Sequence, residues 1–269
     1  MLKDITIGQY VRGDSFLHKM DARVKIILTI FYIIILFLVQ GPLSYFLLAV
    51  FTLFLIFKSR VPLKFIVRGL KPMLFILVFT ALINVFMTPG DPLWQGKFIW
   101  TITITRQGVK TGILMLLRLV FLVMGTSLLT LTTTPLMLTD GIEKLLKPLE
   151  KIKVPAHEIA MMMTIAIRFI PTLAEETDKI MKAQMARGAD FETGNIIRRA
   201  KAMIPLLVPL FISAFRRADE LAMAMDARCY HGGHNRTRMK QLKAGWRDAV
   251  GTGGLVALCA AVIILDKIV

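Results

Sequence analysis

The sequence predicts an all-α integral membrane protein with about five transmembrane helices and a cytoplasmic module of amphipathic helices. Hydrophobic residues make up 55% of the 269 residues and charged residues only 19%, so the chain is more apolar and less charged than most soluble domains. The apolar residues are concentrated in long runs, and basic residues are concentrated between some of those runs. Together these observations exclude an ordinary soluble enzyme and a disordered chain.

Five apolar runs predict the membrane helices. The first, Val24–Gln40, is just long enough to cross the hydrocarbon core as a helix. Because Gly41-Pro42 interrupts the apolar pattern before the run Leu43–Phe57 begins, the first two runs predict a helical hairpin and not one long helix. The other three predicted membrane helices are Leu70–Met87, Gly108–Leu131 and Ala249–Leu265.

The segment between the third and fourth runs has a different pattern from the rest of the membrane part. Lys97–Arg106 alternates isoleucine with threonine and contains Trp100, a residue type that favours the membrane–water interface. We therefore expect a short extended loop at that interface, and a small β-hairpin is the alternative.

The basic residues are distributed asymmetrically between the loops. Those near the N-terminus are Lys3, Arg12, Lys19, Arg23 and Lys25, and those after the second run are Lys58, Arg60, Lys64, Arg68 and Lys71. Since cytoplasmic loops carry an excess of lysine and arginine, this asymmetry predicts a multi-pass protein of the cell membrane with a cytoplasmic N-terminus. It also explains the net charge of +16 without a nucleic-acid partner.

With five spans, the chain is expected to contain three parts. Residues 1–134 would form a membrane domain with four transmembrane helices, residues 135–247 a cytoplasmic domain, and residues 248–269 the final transmembrane helix, which places the C-terminus outside. Two apolar pieces of the cytoplasmic domain, Ile159–Ile167 and Met203–Phe215, are shorter than a span requires. We expect them to lie at the headgroups or to pack against protein, and not to cross the bilayer.

Three amphipathic helices are predicted in the cytoplasmic domain: Leu138–Lys151, Thr172–Arg187 and Arg216–Arg228. Two of them end in a similar tripeptide, Ala186-Arg187-Gly188 and Ala227-Arg228-Cys229. An arginine at a helix end offers a planar fork of donors that matches a carboxylate, so the two ends could fit two acidic grooves. The alternative is that each arginine only complements its helix dipole, which is worth about 0.3–1 kcal/mol.

These paired motifs and an N-terminal stretch carry a family resemblance. The stretch Ser15–Lys25 looks like the pattern Ser-x-Leu-His-x-Leu-Asp-Pro-Arg-x-Lys, with Met20 and Ala22 in place of leucine and proline. The chain as a whole resembles the transmembrane T component of energy-coupling factor (ECF) transporters, a division of ABC-type vitamin and metal importers. Cys229 stands where the family often has glycine.

The resemblance implies a non-catalytic coupling subunit, which transmits the ATP-driven motion of two ABC-type ATPases to a membrane-embedded, substrate-binding S component. The implied ATPase-docking residues are Ala186, Arg187, Gly188, Ala227, Arg228 and Cys229. The resemblance and the long cytoplasmic region favour the shared, multi-vitamin kind of T component over a cobalt- or nickel-dedicated one. Because methionine adapts to varied surfaces, S-component contacts are expected at Met161, Met162, Met163 and Met203; core packing is the alternative for these residues.

Other candidate sites are weaker. The sequence has no Walker A pattern and no nucleophile–base arrangement, so neither catalysis nor a cofactor is expected. His231 and His234 lack a third ligand, so no metal site is expected. Arg118, inside the fourth run, is either a functional residue or one that extends to the interface. A secondary transporter or a membrane-embedded enzyme acting alone is the alternative function, although internal repeats and mid-span polar groups are not evident.

Overall fold

The computed structural model describes residues 10–39, 41–97, 101–191, 195–233 and 244–268. The chain forms two compact units, with boundaries at residues 141/142 and 241/242. We call residues 8–141 and 242–269 the membrane unit, and residues 142–241 the inserted module, because the module lies between two parts of the membrane unit along the chain.

The first two helices of the membrane unit are α1 (Ala22–Leu38) and α2 (Pro42–Ser59). Asp21 caps α1, since its carboxylate accepts a hydrogen bond from the Arg23 amide at 2.9 Å. Gly41 precedes α2 in an extended conformation and Pro42 is its first residue, where a proline costs no helical hydrogen bond. The predicted break at Gly41-Pro42 is therefore confirmed.

The next apolar segment contains α3 (Leu63–Leu70), a 3-10 turn (Lys71–Met73) and α4 (Leu74–Met87). Strands β1 (Pro92–Lys97) and β2 (Thr101–Thr105) follow and pair antiparallel, with Trp94 opposite Ile104 and Lys97 opposite Thr101. The structure thus favours the β-hairpin over the extended loop. Trp100 lies outside the described residues.

The membrane unit is completed by α5 (Arg106–Thr132) and α9 (Trp246–Ile268), which come before and after the inserted module along the chain. Of the described helical segments, four are long and apolar enough to cross a membrane: Pro42–Ser59, Leu63–Met87, Arg106–Thr132 and Trp246–Lys267. Helix α1 has 17 residues and is about 25 Å long at 1.5 Å per residue, so its role as the fifth span stays a prediction.

The core of the membrane unit is built by α1, α2, α5 and α9. Its buried residues include Tyr32, Leu36, Leu48, Phe121, Leu255, Leu258 and Val262. The Tyr32 hydroxyl donates to the Phe121 carbonyl at 3.2 Å and shares a 2.9 Å hydrogen bond with Thr52. A Cβ at Gly125 would lie 2.3 Å from the Tyr32 ring, so only glycine lets α5 approach this tyrosine.

The helices that lead into and form the inserted module differ from the sequence prediction. Helix α6 runs over Pro135–Leu146 and continues as a 3-10 helix over Lys147–Ile152. Helices α7 (Ala156–Ala186) and α8 (Ile196–Asp226) each have 31 residues. The predicted helix starts at Thr172 and Arg216 are therefore wrong.

Interior prolines explain this error. Pro171 lies inside α7, and Pro205 and Pro209 lie inside α8. A proline removes one helical hydrogen bond and usually kinks or ends a helix, but both helices continue through their prolines. Neither α7 nor α8 is among the four apolar segments, and the prediction that Ile159–Ile167 and Met203–Phe215 do not cross the bilayer stays open.

Candidate docking site

The end of α7 forms a left-handed cap directly after Arg187. Gly188 has φ +90°, a conformation in which glycine is not strained. The Gly188 amide donates to the Met185 carbonyl and the Ala189 amide donates to the Gln184 carbonyl, both at 3.0 Å. These two bonds define a Schellman motif. Arg187 is the last residue before the chain turns away from the helix axis.

The end of α8 repeats this geometry residue by residue. Cys229 has φ +54°, its amide donates to the Asp226 carbonyl at 2.9 Å, and the Tyr230 amide donates to the Met225 carbonyl at 3.1 Å. Arg228 therefore holds the position in its cap that Arg187 holds in the other. The two similar tripeptides of the sequence therefore adopt the same backbone structure.

The predicted docking residues are all on the surface. Ala186, Arg187, Gly188, Ala227, Arg228 and Cys229 are exposed. Within the described part of the chain, neither arginine takes part in an ion pair or a side-chain hydrogen bond. Each guanidinium is therefore available to an acidic partner, although a C-terminal position also suits the helix dipole.

A polar contact joins α7 to α8 within the inserted module. The Ser213 hydroxyl and the Arg217 guanidinium both donate to the Glu176 carboxylate, the latter at 3.1 Å. The Ser213 hydrogen bond, followed by Arg217, holds the pKa of Glu176 below its usual value. This contact joins the two helices that present Arg187 and Arg228.

The methionines predicted to contact an S component differ in exposure. Met162 is 58% exposed and Met203 is 48% exposed, whereas Met161 and Met163 are half-buried. Met203 belongs to an exposed apolar stripe on α8, whose other members are Ile204, Leu207, Val208, Phe211, Ile212 and Phe215. Core packing thus does not account for Met162 or Met203, and an exposed apolar stripe on a helix is typical of a contact with protein or lipid.

The N-terminal motif forms a buried polar cluster in the membrane unit that the sequence analysis did not predict. Lys25 is 6% exposed, and its ammonium donates to the Thr132 carbonyl at 3.1 Å and to the Thr133 hydroxyl at 3.0 Å. The Asp248 carboxylate accepts from the Asp21 amide at 2.9 Å. A lysine at the start of an apolar run could have indicated this cluster from the sequence, because a charge in such a position requires partners.

The other polar residues of the motif have local roles. The Asp21 carboxylate pairs with Arg23, at 2.7 Å between Oδ2 and Nη2. His18 shares hydrogen bonds with the Ser15 hydroxyl at 2.7 Å and the Val11 carbonyl at 2.9 Å. These contacts fold the segment before α1 and hold it close to the helix.

Arg118 extends from α5 to the turn between α1 and α2. Its Nε donates to the Tyr45 hydroxyl and its Nη2 donates to the Val39 carbonyl, both at 2.9 Å. Val39 is the C-cap of α1, so the guanidinium also lies where the helix dipole favours a cation. The geometry explains how this charge is accommodated within an apolar helix.

The histidines of the inserted module have different surroundings where the structure describes them. His157 Nδ1 lies 2.9 Å from the Glu143 carboxylate, and His231 is exposed. His234 lies outside the described residues. Among the described residues, no group of three or more histidine, cysteine or acidic side chains could hold a metal ion.

Comparison with known proteins covers nearly the whole chain. Residues 13–239 match the model of the CbiQ family, described as cobalt transport protein. Over 270 residues, 100% of this chain and 97% of the relative, the chain is 58% identical to the energy-coupling factor transporter transmembrane protein EcfT of Clostridium kluyveri. Proteins with the same description from Ruminiclostridium cellulolyticum and Bacillus subtilis are 56% and 47% identical, over 100% and 98% of this chain and 99% of each relative.

Proposed function

This chain belongs to the CbiQ cobalt transport protein family, as a transmembrane T component of an ECF transporter, and we propose that it is the subunit that couples two ABC-type ATPases to an S component. It is a transport protein of the membrane, and the family is not a family of catalytic enzymes. ATP would be bound and hydrolysed by the partner ATPases, and substrate would be bound by the S component.

The observation that carries this proposal is the pair of matching helix ends. Arg187 and Arg228 are exposed and hold the same position in two caps of the same geometry. Two arginines held in the same backbone geometry suit two related partner surfaces, such as an acidic groove on each ATPase. A guanidinium that enters such a groove forms bidentate bonds with a carboxylate.

The proposed mechanism is mechanical. Closure of the ATPases on ATP would move the two docked helix ends. Helices α7 and α8 are joined through Glu176, Ser213 and Arg217, so motion at their ends would be transmitted along both helices together. The S component or membrane lipid would be contacted by the exposed stripe on α8, which includes Met203, and by the exposed Met162. Through the contact with the S component, motion of the two helices would reorient it.

The proposed orientation places the N-terminus and the inserted module in the cytoplasm. It follows from the basic residues that flank α2 and α3, including Lys58 and Lys64. With Cys229 and Cys259 replaced by alanine, single cysteines at positions 64 and 147 should react only with permeant reagents in intact cells. Cysteines at positions 91 and 269 should react with impermeant ones. Labelling of position 64 from outside would overturn this orientation.

The decisive test reverses both arginines. Arg187→Glu combined with Arg228→Glu should abolish co-purification of the ATPases and leave the chain inserted in the membrane, because two acidic grooves would face acidic residues. The matched control is Lys144→Glu combined with Lys151→Glu, which reverses two charges on the same module. Wild-type recovery of ATPases by the arginine double variant would contradict the proposal. A wild-type chain that purifies alone would favour an independent transporter or enzyme.

A further inference from the structure

The chain leaves the membrane unit before residue 142 and returns to it after residue 241. The buried polar cluster binds two helix ends of the membrane unit, the end of α5, which precedes α6 and the module along the chain, and the start of α9, which follows the module. On the outgoing side, Thr132 and Thr133 end α5, and both accept a hydrogen bond from Lys25. On the returning side, Asp248 in the first turn of α9 accepts from the Gly245 amide at 2.7 Å.

One turn of α1 joins these two helix ends. Asp248 also accepts from the Asp21 amide at 2.9 Å, and the Lys25 amide donates to the Asp21 carbonyl at 3.1 Å. Asp21, Lys25 and Asp248 are each 6% exposed. Hydrogen bonds that involve buried charged groups resist rearrangement, because each broken bond leaves a desolvated polar group. The end of α5 and the start of α9 are therefore fixed to each other through α1.

Arg118 provides an internal comparison. Like Lys25, it is a cation that donates to one backbone carbonyl and one hydroxyl at a helix end, here Val39 and Tyr45. The turn that it holds links α1 directly to α2, and no module is inserted there. The two cations thus make similar contacts, but Lys25 holds the end of α5, the helix that precedes α6 and the inserted module along the chain.

We propose that Lys25 is a positioning residue for energy coupling, which acts with Asp21 and Asp248. Resting on the proposed function, this inference assigns the cluster the role of a fixed base for the inserted module. If the end of α5 and the start of α9 are held, motion of α7 and α8 has to reorient the attached S component. If these helix ends are loose, the module moves without reorienting the S component, and ATP is hydrolysed without transport.

The test measures substrate taken up per ATP hydrolysed by the intact complex. The wild-type chain, its two ATPases and its S component are reconstituted in phospholipid vesicles with radiolabelled substrate. The Lys25→Met chain should co-purify with the ATPases, and the ATPases of that complex should hydrolyse ATP. Uptake per ATP should fall about fivefold or more, the size of a typical coupling between sites.

Two further variants separate positioning from stability. Lys25→Arg should restore most of the ratio, because it keeps the donors and a cavity of about 100 Å³ beside Lys25 can take the larger side chain. Arg118→Met removes a comparable pair of hydrogen bonds and should leave the ratio unchanged. An equal fall for Arg118→Met and Lys25→Met would mean that only general stability is involved, and would overturn the inference.

The remaining outcomes are also decisive. A normal ratio for Lys25→Met overturns the inference and leaves the proposed function intact, whereas failure of the wild-type chain to bind ATPases overturns the proposed function itself. If Lys25→Met does not assemble, Thr133→Val is measured in its place. This change removes only the hydroxyl acceptor and keeps the side-chain shape, and an unchanged ratio for it also overturns the inference.

Discussion

The helix ends at Arg187 and Arg228 have the same backbone hydrogen bonds but different residues in the left-handed position. Glycine takes that position after α7, and cysteine takes it after α8 with φ +54°. A side chain in this region costs about 1–2 kcal/mol relative to glycine. The arginine and its cap geometry are therefore the common feature of the two ends, and glycine is only the less strained residue with which to form the cap.

The largest expected effect comes from reversing one arginine at a time. Arg187→Glu or Arg228→Glu should each weaken ATPase binding by about 2–5 kcal/mol, or about 30-fold and more, since a buried partner carboxylate would be left unpaired. Titration of the purified ATPases onto each variant in detergent measures this loss. Equal losses would make the two ends equivalent. A loss of about 1 kcal/mol or less for both would mean that they serve only the helix dipoles.

A smaller effect is expected from straining the α7 cap. A Cβ added at Gly188 would meet no atom within 4 Å, so Gly188→Ala should cost about 1–2 kcal/mol through backbone strain alone. Hydrogen exchange at the amides of Gly188 and Ala189 should accelerate by about fivefold or more. Ala186→Gly is a control, because it perturbs the same turn at a helical position. Unchanged exchange in Gly188→Ala would show that this cap is not needed.

Relief of the backbone strain at the α8 cap should have the opposite effect on the stability of the helix end. Cys229→Gly should stabilise the end of α8 by up to about 1 kcal/mol, because released strain exceeds the added freedom of the unfolded chain. Slower exchange at the Tyr230 amide is the expected measurement. Cys229→Ala removes the thiol and keeps the strained Cβ, so it should give no gain. A gain for both variants would implicate the thiol instead of the backbone.

The smallest effect concerns the contact that joins the two helices. Ser213 and Arg217 lower the pKa of Glu176 in the folded chain, so its contribution is present above the unfolded pKa of about 4.3. It is lost as pH falls through the lower folded pKa. Protection from exchange at both caps, measured relative to the intrinsic exchange rate at each pH, should therefore fall together at acid pH. Glu176→Gln should remove this pH dependence of protection, and a loss of protection at one cap alone would show that the two ends are not joined through Glu176.

Much of the fold could be predicted from local sequence patterns. The apolar runs locate the membrane helices, and the break at Gly41-Pro42 is correct, because hydrophobic length and helix breakers act locally. The prolines inside α7 and α8 were misleading. A proline favours a helix end on local grounds, and the local sequence does not show that the turns on both sides of it stay helical.

In the candidate site, too, local features could be predicted from the sequence and long-range contacts could not. The repeated Ala-Arg pattern located both helix ends, since a cap is formed within a few residues. The partners of Lys25 could not be predicted, because Thr132 and Thr133 lie 107 and 108 residues away. The Arg118 contacts with Tyr45 and Val39 were missed for the same reason. Only the presence of a charge in an apolar run indicated that such partners exist.

The position of α9 at the far end of the chain affects how the protein is made. Its Asp248 and Asp266 bind the backbone amides of Asp21 and Gly41, which precede them by 227 and 225 residues. At a synthesis rate of about 5–20 residues per second, the N-terminal helices wait roughly 10–45 s before these acceptors are synthesised. During that interval the surface of α1 that later packs on α9 has no native partner. Every nascent chain therefore passes through an incomplete bundle until its last helix is made.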